Sequence, residues 1–368
     1  MYQLFLNKES KKFILIIFKH FPYGGAQRDL LQLAKKLCRK NFVEIVCMDW
    51  DGTLPKEKNI SVKLIESNYF FNYQRYSEFK NKVSQYIQNQ TNVISISFSK
   101  ISGFDFYYAA DSCFASKNKN FFKNLSPRYQ FFHKEEYQIF NPKSKTKILS
   151  ISRKENEIYK SIYKTSENKF IFIHPYIDKK FFIESKNKFF FSSKYFKNNN
   201  KLLIFIGSGF KTKGLDRAII AFSSLPLKIR NNFNFAIFGK DNEKKYRKII
   251  ARYGLEDSIN IFPGHDNVPQ LMREATALIH PARYENTGLI LIEALSQNLP
   301  IITTDNCGYS SYVENDKKSI VLNSPFSQQE LNFCLEKLLS KNNYLNKINA
   351  KYKQYISYQL DKKILTNI

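Results

Sequence analysis

Cysteine is scarce in this chain of 368 residues, and the little there is forms no pattern. Cys38, Cys47, Cys113, Cys307 and Cys334 are scattered, with no Cys-x-x-Cys pair and no histidine at ligand spacing. That excludes a disulfide framework and a conventional zinc site, and it suits a reducing cytoplasm. Long apolar runs are missing as well. The run at 13–18 ends at Lys19, too soon for an export signal or a membrane span, so any membrane contact is expected to be peripheral. No Asp-x-Asp cluster stands out for a divalent ion, and no internal repeat is visible. Acidic residues are also in deficit: 32 Asp+Glu against 58 Lys+Arg leave a net charge of +26. Such a chain is drawn to polyanions, whether nucleic acid, an anionic lipid surface or a phosphorylated substrate. A nucleic-acid-binding protein, the rival from another class, would show a helix-turn-helix or an RNP-like aromatic strand, and neither is present. Part of the Lys, Asn, Ile, Phe and Tyr usage follows an AT-rich compositional bias.

What remains is a folded-protein profile, 43% hydrophobic and 24% charged. Short apolar runs at 13–18, 43–48, 93–97, 147–151, 170–173, 202–206, 234–238, 259–262, 277–280 and 300–303 alternate with stretches of helical spacing. Continuous runs of this kind suit strands buried on both faces, hence parallel sheets in an α/β fold. The sequence predicts two Rossmann-like domains, 1–169 and 170–345, followed by a terminal helix, 346–368, packing back on the first. The low-complexity stretch 185–200 reads as a loop inside the second domain.

Three segments carry candidate chemistry. FPYGGAQRD (21–29) and GSGFKTKGLDR (207–217) each follow a strand with a glycine turn and then a helix. Such a turn lets backbone approach a ligand and turns free N–H groups toward an anion. Lys211 and Lys213 fall where a diphosphate would lie above the strand ends. In HPARYENTGLILIEA (280–294), Glu285 precedes a helix expected to start near Thr287, and Glu293 lies inside it. Eight helical residues rise about 12 Å, comparable to a nucleotide sugar from hexose to ribose. An inward carboxylate on an apolar helix is costly unless partnered, and ribose hydroxyls are suitable donors.

These segments, with SGFDFYYAADSCFASK (102–117), TTDNCGY (303–309) and PFSQQEL (325–331), resemble a retaining glycosyltransferase of family 4 and GT-B fold, whose hallmark is Glu-x7-Glu. Among these enzymes the chain is similar to the lipopolysaccharide core glucosyltransferases, which add the first glucose to inner-core heptose. The resemblance covers nearly the whole chain. It implies GT-B architecture with a cleft between the domains, a UDP-sugar donor (UDP-glucose, with another donor sugar as the alternative), no cofactor, and transfer without metal. It further implies that Asp105, Lys213 and Glu285 are catalytic, Asp105 lying near the reacting sugar and acceptor. Gly24, Gly25, Arg28, Asp29, Gly207, Lys211, Asn286, Thr287, Gly288, Leu289 and Glu293 would bind substrate. The wider family usually has an Arg five residues before the lysine, where this chain has Ser208, and nearer relatives have an Arg beside it, where this chain has Thr212. Lys211 is expected to supply that charge.

The stretch 112–137 interleaves Lys117, Lys119, Lys123, Arg128 and Lys134 with Phe114, Phe121, Phe122, Tyr129, Phe131 and Phe132. That pattern suits the interface of an anionic bilayer. By the resemblance, it implies peripheral attachment to the cytoplasmic face of the inner membrane, facing a phosphorylated lipid-core acceptor.

Overall fold

The computed structural model describes residues 11–22, 25–117, 124–183, 195–198, 200–265, 267–340, 349–356 and 360–367. Gly24, residues 118–123 of the basic aromatic stretch, and most of 185–200 lie outside them. The chain divides into two compact units, residues 1–174 with 359–368, and residues 175–358.

The first unit holds β1 (Lys12–Ile16), β2 (Lys19–His20), β3 (Phe42–Cys47), β4 (Asp49–Trp50), β5 (Ile60–Leu64), β6 (Val93–Ser97), β7 (Phe106–Ala109), β8 (Lys147–Ser150) and β9 (Phe170–Phe172). Seven of them form one sheet, in the order β5-β3-β1-β6-β7-β8-β9, with every pairing parallel. The second unit holds β10 (Lys201–Ile206), β11 (Phe233–Phe238), β12 (Ile259–Phe262), β13 (Ala275–His280), β14 (Ile301–Thr304) and β15 (Ile320–Leu322). Its parallel sheet runs β12-β11-β10-β13-β14-β15.

The cause is visible in the strands themselves. FNFAIF of β11 is buried at all six positions, and KLLIFI of β10 buries four of its six. Strands apolar on both faces are stable only between helical layers. Helix Leu215–Ser223, for example, buries Leu215, Ala218, Ile219, Ala221 and Phe222 in the core that contains Phe205, Phe235 and Ile237. Both sheets reverse their strand order, between β1 and β6 in the first and between β10 and β13 in the second. Open α/β sheets bind ligands outside the carboxyl ends of the strands at such a reversal.

Several expectations change. The run at 170–173 forms β9 at the edge of the first sheet, so the first unit extends to His174 and the division does not fall at 169/170. The C-terminal segment is not one helix on the first domain. A 3-10 turn at Ala350–Ile356 belongs to the second unit, where Tyr352 enters the core, and helix Leu360–Leu365 packs on helix Gly25–Leu37 of the first. Strands β2, β4, β5, β7 and β15 fall outside the apolar runs. Edge strand β5 (ISVKL) buries only its first residue, so it lacks a continuous apolar run.

Candidate active site

Strand β10 leaves its sheet at Gly207, which has φ +132°, and a Cβ there would lie 2.8 Å from Lys213 Cδ and Cε. The absent side chain is thus the space that Lys213 occupies. A short helix, Phe210–Lys213, follows, anchored by Phe210 N donating to Asp241 Oδ2 at 2.7 Å. Gly214, at φ +76°, ends it against the exit of β13: a Cβ would overlap the carbonyl oxygen of Pro281, so only glycine fits.

Strand β13 ends at His280, beside β10, and its loop is strapped to the Lys213 turn. Arg283 N donates to Thr212 O (2.8 Å), and its guanidinium reaches Lys211 O (3.0 Å) and makes a bidentate pair with Asp216, both contacts 2.7 Å. Burial opposes ionisation of Asp216, but the Arg283 bonds outweigh it and hold its pKa below the ordinary value. From the other side, Glu285 N donates to Asn306 O (3.0 Å), Gly308 N to Glu285 O (2.9 Å) and Tyr309 N to Thr287 O (2.8 Å). The TTDNCGY segment is therefore a backbone clamp on the Glu285 loop.

These straps bring Lys213 and Glu285 together as an ion pair, each side chain 20% exposed. Behind the pair lies His280, wholly buried, its Nε2 3.8 Å from Glu285 Oε2 and its ring stacked on Phe205. Among the described residues neither ring nitrogen has a hydrogen-bond partner. Burial, reinforced by the charge of Lys213, keeps the imidazole neutral against the pull of Glu285. Burial resists charge on Glu285 too, but His280 and Lys213 beside it bring its pKa down to about 2, so the group is a carboxylate at neutral pH. Gly288, at φ +77°, then opens helix Leu289–Ser296. That helix starts two residues later than expected, so half-buried Glu293 sits one turn into it, about 6 Å along the axis. Asn286, Thr287, Gly288 and Leu289 form the junction between Glu285 and the helix's positive end.

The other expected residues are placed differently. Lys211 does not face Glu285. It lines a separate cavity of about 690 Å³ together with Asp241, Lys244, Lys245, Lys248 and Arg252. In the first unit, Gly25 starts the helix after β1, and Arg28 pairs with Asp29 at 3.3 Å. Asp29 Oδ2 accepts from Tyr108 OH of β7 at 2.7 Å. Asp105 is not at that end. It precedes β7, and its Oδ2 accepts from Ser95 N (2.9 Å) and Ser95 Oγ (2.7 Å), binding the amino-terminal side of β7 to β6. The geometry gives it a structural task. Asp111, by contrast, lies just past the carboxyl end of β7 and is exposed.

Asp49-Trp50-Asp51 does form an Asp-x-Asp sequence, but Asp49 pairs with Lys19 at 3.3 Å. Among the described residues no three His, Cys, Asp or Glu side chains gather in a way that could hold a metal ion.

Two doubly wound parallel sheets, with a lysine–glutamate pair at the strand reversal of the second, make up a GT-B architecture. The family described as glycosyl transferases group 1 matches residues 186–355. The chain is 31% identical to the lipopolysaccharide glucosyltransferase WaaG of Escherichia coli (strain K12), over 88% of each chain. The crystal structure of WaaG superposes with a TM-score of 0.84 at 28% identity, covering 97% of this chain and 99% of that one. Anabaena HepE, solved with UDP-glucose, shares the fold at 16% identity (TM-score 0.70, 97% and 100% covered). The chain belongs to the WaaG-like group 1 glycosyltransferases. Among the described residues no helix is long and apolar enough to cross a membrane.

Proposed function

We propose that this enzyme transfers glucose from UDP-glucose to the inner-core heptose of lipopolysaccharide, with retention of configuration, and that it does so at an anionic membrane surface. The observation that carries the donor site is the Lys213–Glu285 pair at the carboxyl ends of β10 and β13, next to the positive end of helix Leu289–Ser296. The likeness to WaaG, a lipopolysaccharide glucosyltransferase, supports the donor and the acceptor.

In this reading the diphosphate enters between Lys213 and residues 286–289, Glu285 receives the hexose hydroxyls, and Glu293 the ribose. As the bond from the anomeric carbon to the phosphate oxygen breaks, negative charge grows on the diphosphate. Lys213 and the helix dipole stabilise it in place, without solvent reorganisation. A new bond forms from the same carbon to the acceptor oxygen, whose proton passes to the departing diphosphate oxygen. Glu285 is a partner for hydroxyls and is assigned no nucleophilic step. Glu285→Ala is expected to lose most transfer while the protein stays folded. A screen of UDP-glucose, UDP-galactose and UDP-N-acetylglucosamine, with mass analysis of the lipid glycan in a strain lacking the protein, tests the assignment. Turnover with UDP-glucose alone, and a missing hexose on the core, are the expected results.

His280 has a place in this cycle. When Lys213 turns to the diphosphate, Glu285 loses its counter-charge, and a small shift brings the His280 Nε2–H within hydrogen-bond distance. His280→Gln keeps a donor there and is expected to retain most of kcat. His280→Phe, equally apolar to Phe205 but without a donor, is expected to lose roughly tenfold in kcat with little change in KM. Equal kcat in the two variants would count against this role.

The segment 112–137 supports the membrane reading in modified form. It is not one helix: Phe114–Lys117 and Pro127–Phe140 are separate elements. Phe132 packs on Phe114 and Tyr76, so part of the aromatic content is internal, while Leu125, Arg128, Lys134 and Tyr137 stay exposed.

A further inference from the structure

Three aromatic side chains stand in a row outside the fold, between β5 and helix Asn72–Gln88. Tyr69 is 53% exposed, Phe70 91% and Phe71 57%. Phe70 touches Phe71 edge-on (centroids 5.5 Å apart) and Phe71 touches Tyr73 (6.2 Å), so the rings cluster with one another. Leu64, the last residue of edge strand β5, is 53% exposed and leads into the loop. Keeping contiguous apolar surface of this kind in water is unfavourable, and such patches mark interaction sites. We infer that the 69–71 loop is a membrane-inserting wedge, with Phe70 at its tip, acting beside helix Pro127–Phe140 to hold the enzyme on an anionic bilayer.

Charge and position select the occupant. The loop's helix packs directly on Pro127–Phe140: Tyr76 meets Phe132 with centroids 5.2 Å apart, and Lys80 pairs with Glu135 at 2.7 Å. That neighbour exposes the cations Arg128 and Lys134, and the whole chain carries +26. Exposed aromatic rings beside exposed cations fit a surface whose headgroups are negative and whose interior is apolar. Tyrosine and phenylalanine settle readily at that boundary. A ring exposed over nine-tenths of its area protrudes, and a protrusion is buried more readily in a deformable lipid layer than against a preformed protein pocket. The loop also follows the carboxyl end of its strand, the end of the sheet from which the Gly25 segment emerges, so a lipid-borne acceptor would meet the same edge.

The inference rests on the membrane reading above, and its test separates the two. Wild type, Phe70→Trp and Phe70→Ser/Phe71→Ser are mixed with vesicles of phosphatidylglycerol and phosphatidylcholine, with or without bromine on the acyl chains. The chain has a single tryptophan, Trp50, so wild type supplies the baseline. Expected are bromine quenching of Phe70→Trp beyond that baseline and roughly 10–100-fold weaker vesicle partitioning of the double variant, with an unchanged melting temperature. If wild type co-floats, but Phe70→Trp is unquenched and the double variant binds equally well, the wedge is wrong and the membrane reading stands. If wild type does not bind vesicles at all, both fail. If sedimentation instead shows a wild-type dimer that the double variant loses, a second copy is the occupant and the wedge is overturned.

Discussion

Replacing Lys213 by Ala is expected to lower kcat for sugar transfer by roughly 10²–10³-fold, the loss typical of removing one pre-placed donor to a developing anion. The size of the effect follows from how the side chain is held. Gly207 yields the space its stem fills, Gly214 lets the turn close against Pro281, and the Arg283–Asp216 pair ties the turn to the loop that carries Glu285. A lysine so placed spends little entropy in reaching a phosphate. In the free enzyme its charge is balanced by Glu285. In the variant that carboxylate faces only His280, whose imidazole no longer feels the lysine and gains basicity. The fold should survive, because the site rim stays partly exposed and the backbone straps do not involve the Lys213 ammonium. A circular-dichroism melt alongside single-turnover kinetics separates lost chemistry from lost structure.

The largest expected effect on stability lies in the first unit, at Glu136. Its carboxylate is wholly buried and accepts from Phe114 N (2.7 Å), Ala115 N (3.1 Å) and Tyr163 OH (2.8 Å), besides the ion pair with buried Lys100. Glu136→Ala would leave the Lys100 ammonium without its counter-charge in the interior, which costs about 3–5 kcal/mol in comparable cases. The pH dependence has a definite sign. Burial opposes ionisation of Glu136, but Lys100 and the two backbone N–H groups prevail, so its folded-state pKa lies below the ordinary 4.5. A depressed carboxylate pKa contributes stability that is fully present above that ordinary value. It is lost as pH falls through the folded-state pKa. Urea titrations of wild type and Glu136→Gln should therefore show the wild-type advantage at pH 7 shrinking once the pH drops well below 4.5. An advantage that grew on acidification would contradict the assignment.

How far the sequence could be read follows physical lines. Runs such as LLIFI and NFAIF announced buried parallel strands because burial on both faces removes polar residues from every position. Strand β5 was illegible because it lies at a sheet edge. Strand β7 (FYYA) was hidden inside a motif read for its aspartate. The Glu285–Glu293 spacing and Lys213 pointed to the β10–β13 reversal, since strand–turn–helix junctions are local features. What sequence could not give was direction. Asp105 and Asp111 flank the same strand at opposite ends, and only strand polarity and the Ser95 bonds separate them. Lys211 and Lys213 are two residues apart, yet one faces Glu285 and the other lines a pocket against helix Lys244–Arg252. Arg283 and Asp216, inconspicuous inside their longer motifs, prove to be the tie that holds the turn. His280, read as the end of a strand, matters because of what its buried ring lacks. The 69–71 rings were unremarkable in a chain with 34 phenylalanines, and only their exposure singles them out.

The central claim is that Lys213, paired with Glu285 at the β10–β13 reversal, is the cation that receives the donor's diphosphate. Titration calorimetry of UDP-glucose against wild type, Lys213→Ala and Lys211→Ala tests it most directly. The predicted result is a loss of tenfold or more in affinity for Lys213→Ala and near-wild-type affinity for Lys211→Ala. Undiminished affinity in Lys213→Ala, with the loss falling on Lys211→Ala, would contradict it.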